Sequence, residues 1–416
     1  MDVRLEFTTG IAPRFSADGQ HFALDLPKDD AHLLVLDGRE VARSDRYFMY
    51  FELAPDGSWL SYARSVLEPG QNTRGRLVHR GVTTELAGEP VALAVTPDGA
   101  HVAVGISWGG GGSGAVVLGG KQLAPAVSPR MLTLASDGRR WAYAETISHR
   151  TGGATVTIDG VKSRPMYGVW GLLFSPDGAH VAYQSLTQKG RSATSAVVVV
   201  DGKPGKSWQS SSEVLRFTAD GKVVYKAADA AGAWVVIGEQ AYGPYRRVYG
   251  PAVTGSHVAW GAETLADRTT VLRVFLGGTP IHRSEIGEFS PMDDRGPALQ
   301  GLVVAPAGDM VAFGSLGFTY VWHGRSAQRV GPGEPVAFDA DGGRLALVLS
   351  DSAGCSLQVV ASRMGTALTT ASPKLPEIFA ETVRFTGDDV HYFARSATQL
   401  LFVRTSARPR PVAIGP

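Results

Sequence analysis

The segment Leu172 to Tyr183 has the sequence Leu-Leu-Phe-Ser-Pro-Asp-Gly-Ala-His-Val-Ala-Tyr, and it decides the fold. An apolar run is followed by a four-residue turn and a second apolar run. Pro176 fixes φ near the value that the second turn position requires. Asp177 can accept hydrogen bonds from nearby backbone N–H groups, and Gly178 adopts a positive φ without a Cβ clash. The segment therefore predicts a β-hairpin.

This hairpin segment recurs along the whole chain. Between Asp18 and Asp220, successive copies of the turn are 38, 42, 39, 40 and 43 residues apart. Later copies are less regular, and one of them keeps only its glycine. The anchors of the ten copies lie near Asp18, Asp56, Asp98, Asp137, Asp177, Asp220, Gly255, Gly308, Asp341 and Asp388. The chain thus consists of ten units of about forty residues.

Each unit contains more than the hairpin. A second β-rich run follows the turn and ends in a glycine, as in Ala196 to Gly202, and a more polar strand comes next. Four antiparallel strands per repeat, without sustained helical periodicity, are typical of an all-β protein of the β-propeller class. We expect about ten four-stranded antiparallel blades over residues 1–416, in one large ring, with two five-bladed rings as the alternative. Residues 284–300 form a polar acidic insertion between blades seven and eight.

The pattern of apolar residues around Phe-Ser-Pro-Asp-Gly, followed by Val-Ala-Tyr, resembles the TolB-like β-propeller repeat. The same repeat occurs in the propellers of prolyl-oligopeptidase-type enzymes. The resemblance covers about residues 8 to 416. It implies the propeller fold but no particular function. No hydrolase domain follows the repeats in this sequence, so the resemblance does not bring peptidase activity with it.

The composition excludes several classes of protein. With 40 basic and 39 acidic residues the net charge is +1, so no whole-molecule basic field is available for nucleic acid. Cys355 is the only cysteine, which excludes an intrachain disulfide and a cysteine metal cluster. The sequence has no leader segment and no apolar run of about 20 residues, so we expect a soluble cytoplasmic protein without membrane insertion. Arginine far outnumbers lysine and Asn72 is the only asparagine, as is typical of a high-GC bacterial genome.

Motifs for catalysis and metal binding are weak. The stretch Gly105 to Gly109 matches the G-x-S-x-G pattern around a nucleophilic serine, but that pattern requires a helix after the serine. The glycine-rich run 110–114 predicts a loop instead. One turn aspartate per unit does not supply the six to eight oxygens that Ca²⁺ prefers. His101 and His180, which follow two of the turns, are predicted to begin surface strands. The sequence therefore predicts no catalytic residue, no metal site and no cofactor.

One group of residues favours a binding surface. In the resembled repeat, the turns after the first and third strands of a blade lie on one rim. The loops between second and third strands, and the blade junctions, lie on the opposite rim and are the more varied ones here. Arginine with tyrosine and tryptophan is the composition of binding hot spots. The predicted binding residues on that rim are Tyr47, Arg74, Arg76, Trp108, Arg150, Tyr167, Trp170, Arg191, Tyr245, Arg246 and Arg247.

The favoured hypothesis is a non-enzymatic scaffold that binds a protein partner, with an acidic or extended segment, on this rim. One alternative is an enzyme, or a binder of small ligands or carbohydrates, with its site at the mouth of the central channel. Another alternative is a structural component of a larger bacterial assembly that docks through residues 284–300.

Overall fold

Ten antiparallel sheets, one for each repeat, make up the protein. The computed structural model describes residues 4–6, 14–16, 21–45, 48, 50–66, 74–108, 113–126, 129–146, 153–189, 193–211, 215–288, 298–362, 372–396 and 399–406. Apart from one three-residue 3-10 helix, Ala380–Thr382, the regular secondary structure of these residues is strand. The predicted β-propeller of about ten antiparallel blades is confirmed.

The first five sheets have four strands each, and consecutive strands are neighbours in each sheet. The short strand β1 (Arg4–Glu6) precedes them and belongs to sheet ten. Sheet one contains β2 (Arg14–Phe15), β3 (Phe22–Lys28), β4 (Ala31–Leu36) and β5 (Arg39–Ser44). Sheet two contains β6 (Tyr50–Leu53), β7 (Leu60–Val66), β8 (Arg74–His79) and β9 (Val82–Leu86). Sheet three contains β10 (Glu89–Val95), β11 (Val102–Ser107), β12 (Gly114–Leu118) and β13 (Lys121–Ala126). Sheet four contains β14 (Pro129–Leu134), β15 (Trp141–Thr146), β16 (Ala154–Ile158) and β17 (Val161–Lys162). Sheet five contains β18 (Gly168–Phe174), β19 (Val181–Lys189), β20 (Ala193–Val200) and β21 (Lys203–Trp208).

The last five sheets vary more, because the innermost strand is divided in sheets six and ten, and three described strands form sheet nine. Sheet six contains β22 (Ser210–Ser211), β23 (Arg216–Phe217), β24 (Val223–Asp229), β25 (Gly232–Ile237) and β26 (Gln240–Tyr245). Sheet seven contains β27 (Arg247–Thr254), β28 (His257–Ala266), β29 (Thr269–Leu276) and β30 (Thr279–Glu288). Sheet eight contains β31 (Gln300–Val304), β32 (Met310–Ser315), β33 (Phe318–His323) and β34 (Ser326–Pro332). Sheet nine contains β35 (Glu334–Phe338), β36 (Arg344–Asp351) and β37 (Gly354–Ala361). Sheet ten contains β38 (Glu377–Ile378), β39 (Arg384–Thr386), β40 (Asp389–Ser396), β41 (Gln399–Ser406) and β1, which pairs with β41.

The predicted turn closes the inner hairpin, as sheet five illustrates. The N–H of Gly178 donates to the carbonyl of Ser175 at 2.8 Å, and Gly178 has a φ of +72°. The Asp177 carboxylate accepts a hydrogen bond from the N–H of Ala179 at 3.0 Å. The Ser175 hydroxyl accepts one from the N–H of His180 at 2.9 Å. The turn thus satisfies its own backbone groups locally, which is why the same residues recur in the repeats.

A second turn, between the third and fourth strands, is also built from an aspartate and a glycine. Asp201 and Gly202 have φ angles of +50° and +76°, as in the two-residue turns whose twist matches that of the flanking strands. The Asp201 carboxylate accepts a hydrogen bond from the N–H of Val181 at 3.0 Å. Asp37 and Asp159 make the same bond in sheets one and four. Each of these aspartates therefore ties the third-to-fourth turn to the start of the second strand.

Neighbouring sheets are joined through the inner turns. A Cβ atom on Gly99 of sheet three would lie 2.3 Å from Nε1 of Trp59 in sheet two, so the indole covers the glycine. The residue of sheet four that is equivalent to Trp59 is Arg140. It donates to the carbonyls of Gly178 and Ala179 at 3.2 and 2.6 Å. Similar contacts join His21 to Gly57, His101 to Gly138 and His257 to Gly308. A side chain of the preceding sheet thus completes each of these turns.

The core is a series of apolar clusters rather than a single centre. Between sheets four and five, Val156, Val169 and Val181 are at most 6% exposed and belong to one cluster. Between sheets eight and nine, Met310 and Leu345 are at most 1% exposed in another. Buried apolar area stabilises a fold by about 25 cal/mol per Å². Since these clusters lie between adjacent sheets, each sheet is stabilised mainly by its nearest neighbours, as in other repeat proteins.

The chain forms two compact units. The N-terminal unit contains Gly10–Ala230 and Val236–Gln240, and the C-terminal unit contains Met1–Thr9, Ala231–Val235 and Ala241–Pro416. No helix within the described ranges has the length and apolar character needed to cross a membrane.

Candidate functional site

The two ends of a four-stranded sheet differ in structure. At the turn end, the inner hairpin turn and the third-to-fourth turn lie side by side, and in sheet four Arg140 Nε reaches Asp159 Oδ2 at 2.9 Å. At the loop end lie the second-to-third loop and the junction with the next sheet, because consecutive strands run antiparallel. The binding residues are predicted for the loop ends.

In sheet two, the two predicted arginines differ in their surroundings. Arg74 is exposed at the start of β8. Arg76 makes an ion pair with Glu85 of the neighbouring strand β9, with Nη2 2.7 Å from Oε1. Exposed pairs of this kind contribute little to stability. The Glu85 carboxylate nevertheless holds the Arg76 side chain along the sheet, whereas Arg74 is exposed to solvent.

The aromatic residues of the N-terminal unit are exposed to different degrees. Trp108 is 38% exposed, and its ring lies against Gly88, where a Cβ atom would be 2.9 Å from Cδ1. Tyr167, directly before β18, is 42% exposed. Trp170 covers Gly168 of its own strand, with Cη2 2.3 Å from the position of a Cβ atom. Trp108 and Tyr167 therefore leave aromatic surface exposed to solvent, while Trp170 is partly occupied by packing.

Tyr245 belongs to an aromatic cluster in the C-terminal unit. Its ring centroid lies 5.7 Å from that of Phe275, and Phe275 stacks on the fully buried Trp260 at 5.2 Å. Burial raises the pKa of Tyr245. Aromatic pairs with ring centroids at these distances stabilise beyond their buried area. Tyr245 therefore anchors the junction between sheets six and seven and fixes the backbone that leads to Arg246.

Arg246 and Arg247 surround a buried carboxylate. The Glu263 side chain is 4% exposed, with Oε2 3.5 Å from Arg246 Nη1 and Oε1 3.9 Å from Arg247 Nη1. The Tyr249 hydroxyl donates to Glu263 and accepts a hydrogen bond from the N–H of Ala298 at 3.1 Å. Burial, followed by the hydrogen bond to Glu263, raises the pKa of Tyr249, so the phenol remains protonated and continues to donate.

The Arg246 cluster consists of Arg246, Arg247, Tyr249 and Glu263. It carries a net positive charge. The Arg246 and Arg247 side chains are 36% and 54% exposed, so both guanidinium groups reach solvent. A planar guanidinium group presents several N–H donors to a carboxylate or a phosphate. Both groups lie within ion-pair distance of the same buried carboxylate. The chemistry suited to this cluster is the recognition of an anionic group.

Several predicted positions lie outside the described residues. These are Tyr47, Arg150 and Arg191, together with residues 289–297 of the predicted insertion. The first part of that segment, from Ser284 to Glu288, belongs to strand β30. The structure thus brings Tyr245, Arg246 and Arg247 together at one loop end. It places Arg74, Trp108 and Tyr167 on sheets two, three and five of the N-terminal unit.

Two exposed leucines were missed by the sequence reasoning. Leu265, near the tip of the β28–β29 hairpin, is 50% exposed, and Leu316, between β32 and β33, is 59% exposed. Leu316 has a φ of +52° and Gly317 a φ of +79°. A bulky residue rarely adopts this left-handed conformation. The sequence signal was the apolar residue in a two-residue turn, Ser-Leu-Gly-Phe, where asparagine or aspartate is usual.

The motifs for catalysis are part of the sheet framework. Ser107, of the G-x-S-x-G motif, is the last residue of β11 and pairs with Gly114 of β12. Residues 109–112 lie outside the described part of the chain. Cys355 lies in β37, with Sγ 3.2 Å from Ser350 Oγ. No three His, Cys, Asp or Glu side chains within the described ranges are grouped so that they could hold a metal ion.

No family model matches the chain, and no curated protein matches it. Similar solved structures include a crystal structure of the eukaryotic initiation factor, at 11% identity and a TM-score of 0.44, covering 78% of this chain and 90% of that chain. TolB from Acinetobacter baumannii is 14% identical, with a TM-score of 0.29, and covers 55% of this chain and 60% of that chain. An acylaminoacyl peptidase is 11% identical, with a TM-score of 0.30, and covers 74% of this chain and 57% of that chain. The predicted resemblance to TolB-type and peptidase propellers is confirmed by their presence among these structures. It concerns the fold alone.

Proposed function

We propose that the protein is a non-enzymatic β-propeller scaffold that binds an acidic segment of a protein partner at the loop end of sheet seven. The observation that carries the proposal is the placement of two solvent-reaching guanidinium groups, those of Arg246 and Arg247, within ion-pair distance of the buried carboxylate of Glu263.

Preorganisation supports this function. An arginine side chain loses rotamer freedom when it binds, which costs about 0.5–1.5 kcal/mol for each immobilised side chain. Glu263 and Tyr249 already restrict Arg247 through its Nη1 atom. Two positive charges on one buried negative charge leave the cluster attractive to an incoming carboxylate. A partner therefore gains charge-assisted hydrogen bonds at a reduced entropic cost.

An apolar contact lies beyond the two arginines. Strand β27 begins opposite Glu263, but the β28–β29 pairing continues for three more residues, so the hairpin projects past its inner neighbour. Leu265 lies in this projecting part and is half exposed. Interfaces combine exposed apolar anchors with arginine. The preferred partner segment therefore carries an acidic residue for the Arg246 cluster and an apolar residue for Leu265.

A neutral variant of the cluster tests the proposal without leaving a buried charge unpaired. In R246Q/R247Q/E263Q, the cations and their carboxylate are removed together, which avoids the large cost of an isolated buried charge. We expect this variant to keep a near-native melting temperature and to lose the partner that the wild-type protein captures from its host lysate. The matched control is Arg39→Gln, which makes the same net charge change at an exposed position of sheet one.

Photo-crosslinking locates the contact independently of charge. A benzoylphenylalanine residue at position 265 should crosslink the captured partner through an acidic segment that mass spectrometry identifies. The control position is Val82, which is 67% exposed on an outer strand of sheet two. Equal crosslinking at both positions, or full capture by the neutral triple variant, would show that the partner binds elsewhere.

A further inference from the structure

A groove of about 750 Å³ opens between sheets four and five. One wall comes from sheet four and includes Ile158, Val161 and Met166; the facing wall comes from sheet five and includes Val197 and Val199. Both walls continue the apolar cluster that joins the two sheets further in. The groove is therefore an unfilled outer extension of the core.

The shortness of one strand explains why the groove exists. Strand β17 has two residues, whereas its counterpart β21 in sheet five has six. The chain leaves the sheet after Lys162, yet β16 keeps its hydrogen bonds. Val156 exchanges bonds with Ser163, and Ala154 pairs with Met166 at 2.8 Å in both directions. Val161, in this short strand, is 75% exposed. The missing apolar cover comes from no described residue of the chain.

Two largely buried residues with hydroxyl groups border the groove. Tyr183 and Ser185 alternate along β19 and are 4% and 3% exposed. Neither hydroxyl makes a hydrogen bond to another described residue, so both can still donate and accept. Burial alone raises the pKa of Tyr183. The neighbouring Thr187, by contrast, bonds to Ser195 at 2.5 Å. The Tyr183 and Ser185 hydroxyls are therefore positioned to bond to a group that enters the groove.

The charges along the groove are distributed unequally. At the turn end, Arg140 is paired with Asp159, and Asp201 is paired with His180. Arg164, further along the same groove, makes no ion pair with any described carboxylate. A cation without a partner beside an apolar wall favours a ligand with one negative charge and an aliphatic body.

We propose that this groove binds a linear aliphatic carboxylate, with the chain along the valine and isoleucine side chains and the head group near Arg164. The Tyr183 and Ser185 hydroxyls then donate to the carboxylate oxygens. The volume lies within the range of about 300–1,000 Å³ that is usual for small-ligand sites. This proposal does not rest on the proposed function, because the groove and the Arg246 cluster share no residue.

Titration calorimetry with dodecanoate, below its micellar concentration, tests the site on the full chain. We expect saturable one-to-one binding. Tyr183→Phe should weaken it about tenfold, the effect of losing one hydrogen bond to a charged group. Arg164→Gln should weaken dodecanoate binding by a similar factor, but leave the binding of dodecanol unchanged because the alcohol carries no charge. Val197→Trp should abolish the binding of both ligands by filling the groove.

Controls separate these outcomes from unfolding and from surface adsorption. Lys203→Gln removes an exposed cation on β21 that does not line the groove, and its dodecanoate affinity should equal that of the wild-type protein. Melting temperatures show whether each variant is folded. The proposal is overturned if folded wild-type protein does not bind dodecanoate, or if Val197→Trp binds as tightly as the wild-type protein. Equal losses of affinity in Lys203→Gln and Arg164→Gln would also overturn it, because they would indicate adsorption to general positive charge.

Discussion

Nδ1 of His180 lies 2.7 Å from Oδ2 of Asp201, across the two turns at one end of sheet five. The other carboxylate oxygen of Asp201 accepts a hydrogen bond from the N–H of Val181 at 3.0 Å. Asp201 itself has a φ of +50°. One residue therefore combines a left-handed backbone, a side-chain hydrogen bond with a histidine and a backbone hydrogen bond.

Asp201→Ala should destabilise the protein by about 2 kcal/mol, because alanine loses both hydrogen bonds and tolerates the left-handed conformation poorly. Asp201→Asn should cost less than about 1 kcal/mol, since asparagine retains an oxygen acceptor and adopts this conformation readily. Urea denaturation followed by circular dichroism measures both free energies of unfolding. Equal losses in the two variants would contradict the assigned role of the side-chain oxygen.

Gly99→Ala should destabilise the protein by about 3 kcal/mol or more. The new methyl group would combine a backbone strain of about 1 kcal/mol with a clash of 2.3 Å against the Trp59 indole. Gly119→Ala is the matched control, because Gly119 has a similar φ of +55° but nothing within 4 Å of its Cβ position. Its expected cost is about 1 kcal/mol. Thermal unfolding of the two variants distinguishes strain from packing, and similar melting temperatures would argue against a packed turn.

Asp220 should titrate at an unusually low pH. The hydrogen bond from Lys222, with Nζ 2.7 Å from Oδ2, and then that from Thr218 lower the pKa of Asp220 from 3.8 to about 2. Because the folded-state pKa is lowered, the stabilisation is fully present above about pH 4 and is lost as the pH falls towards 2. Carbon-13 resonances of selectively labelled aspartate report the titration directly. Lys222→Gln should move the midpoint back towards 3.8, and an unchanged midpoint would show that the lysine is not the cause.

Leu316→Asn should stabilise the protein by about 0.5–1 kcal/mol, because asparagine tolerates the φ of +52° better than leucine does. Leu265→Asn is the control at a comparably exposed leucine whose φ is not positive, and no gain is expected there. Chemical denaturation gives both values. A gain of equal size at both positions would point to reduced apolar exposure rather than to relief of backbone strain.

The fold could be predicted from the sequence because the decisive interactions are local. Ser175, Asp177 and Gly178 form their hydrogen bonds within five residues, so the turn is visible in the sequence itself. His180 was predicted only as the start of a surface strand. Its pairing with Asp201, 21 residues later, depends on two turns meeting in space. The sequence alone does not show that these two side chains lie within hydrogen-bonding distance.

The candidate site was only partly predictable for the same reason. Arg246 and Arg247 were chosen for their type and their place at a junction, but Glu263 is supplied by the next strand and was not recognised. Trp170 and Tyr245 were expected on the binding rim, although both also pack against neighbours in their own units. The groove was not foreseen, since it results from a fourth strand that ends after two residues.

The contacts between consecutive inner turns all run in the same direction along the chain, because the covering side chain comes from the preceding sheet. In sheet five, Gly178 receives Arg140 from the preceding sheet, and His180 lies against Gly221 of the following sheet. A duplicated copy of one intact repeat would therefore carry both partners of the contact between sheets. These are the glycine of its own turn and the side chain that covers the glycine of the next turn. Gene duplication could lengthen such a chain by one repeat at a time without the invention of a new contact. Removal of half a repeat would leave a turn glycine without the side chain that covers it, or the side chain without its glycine.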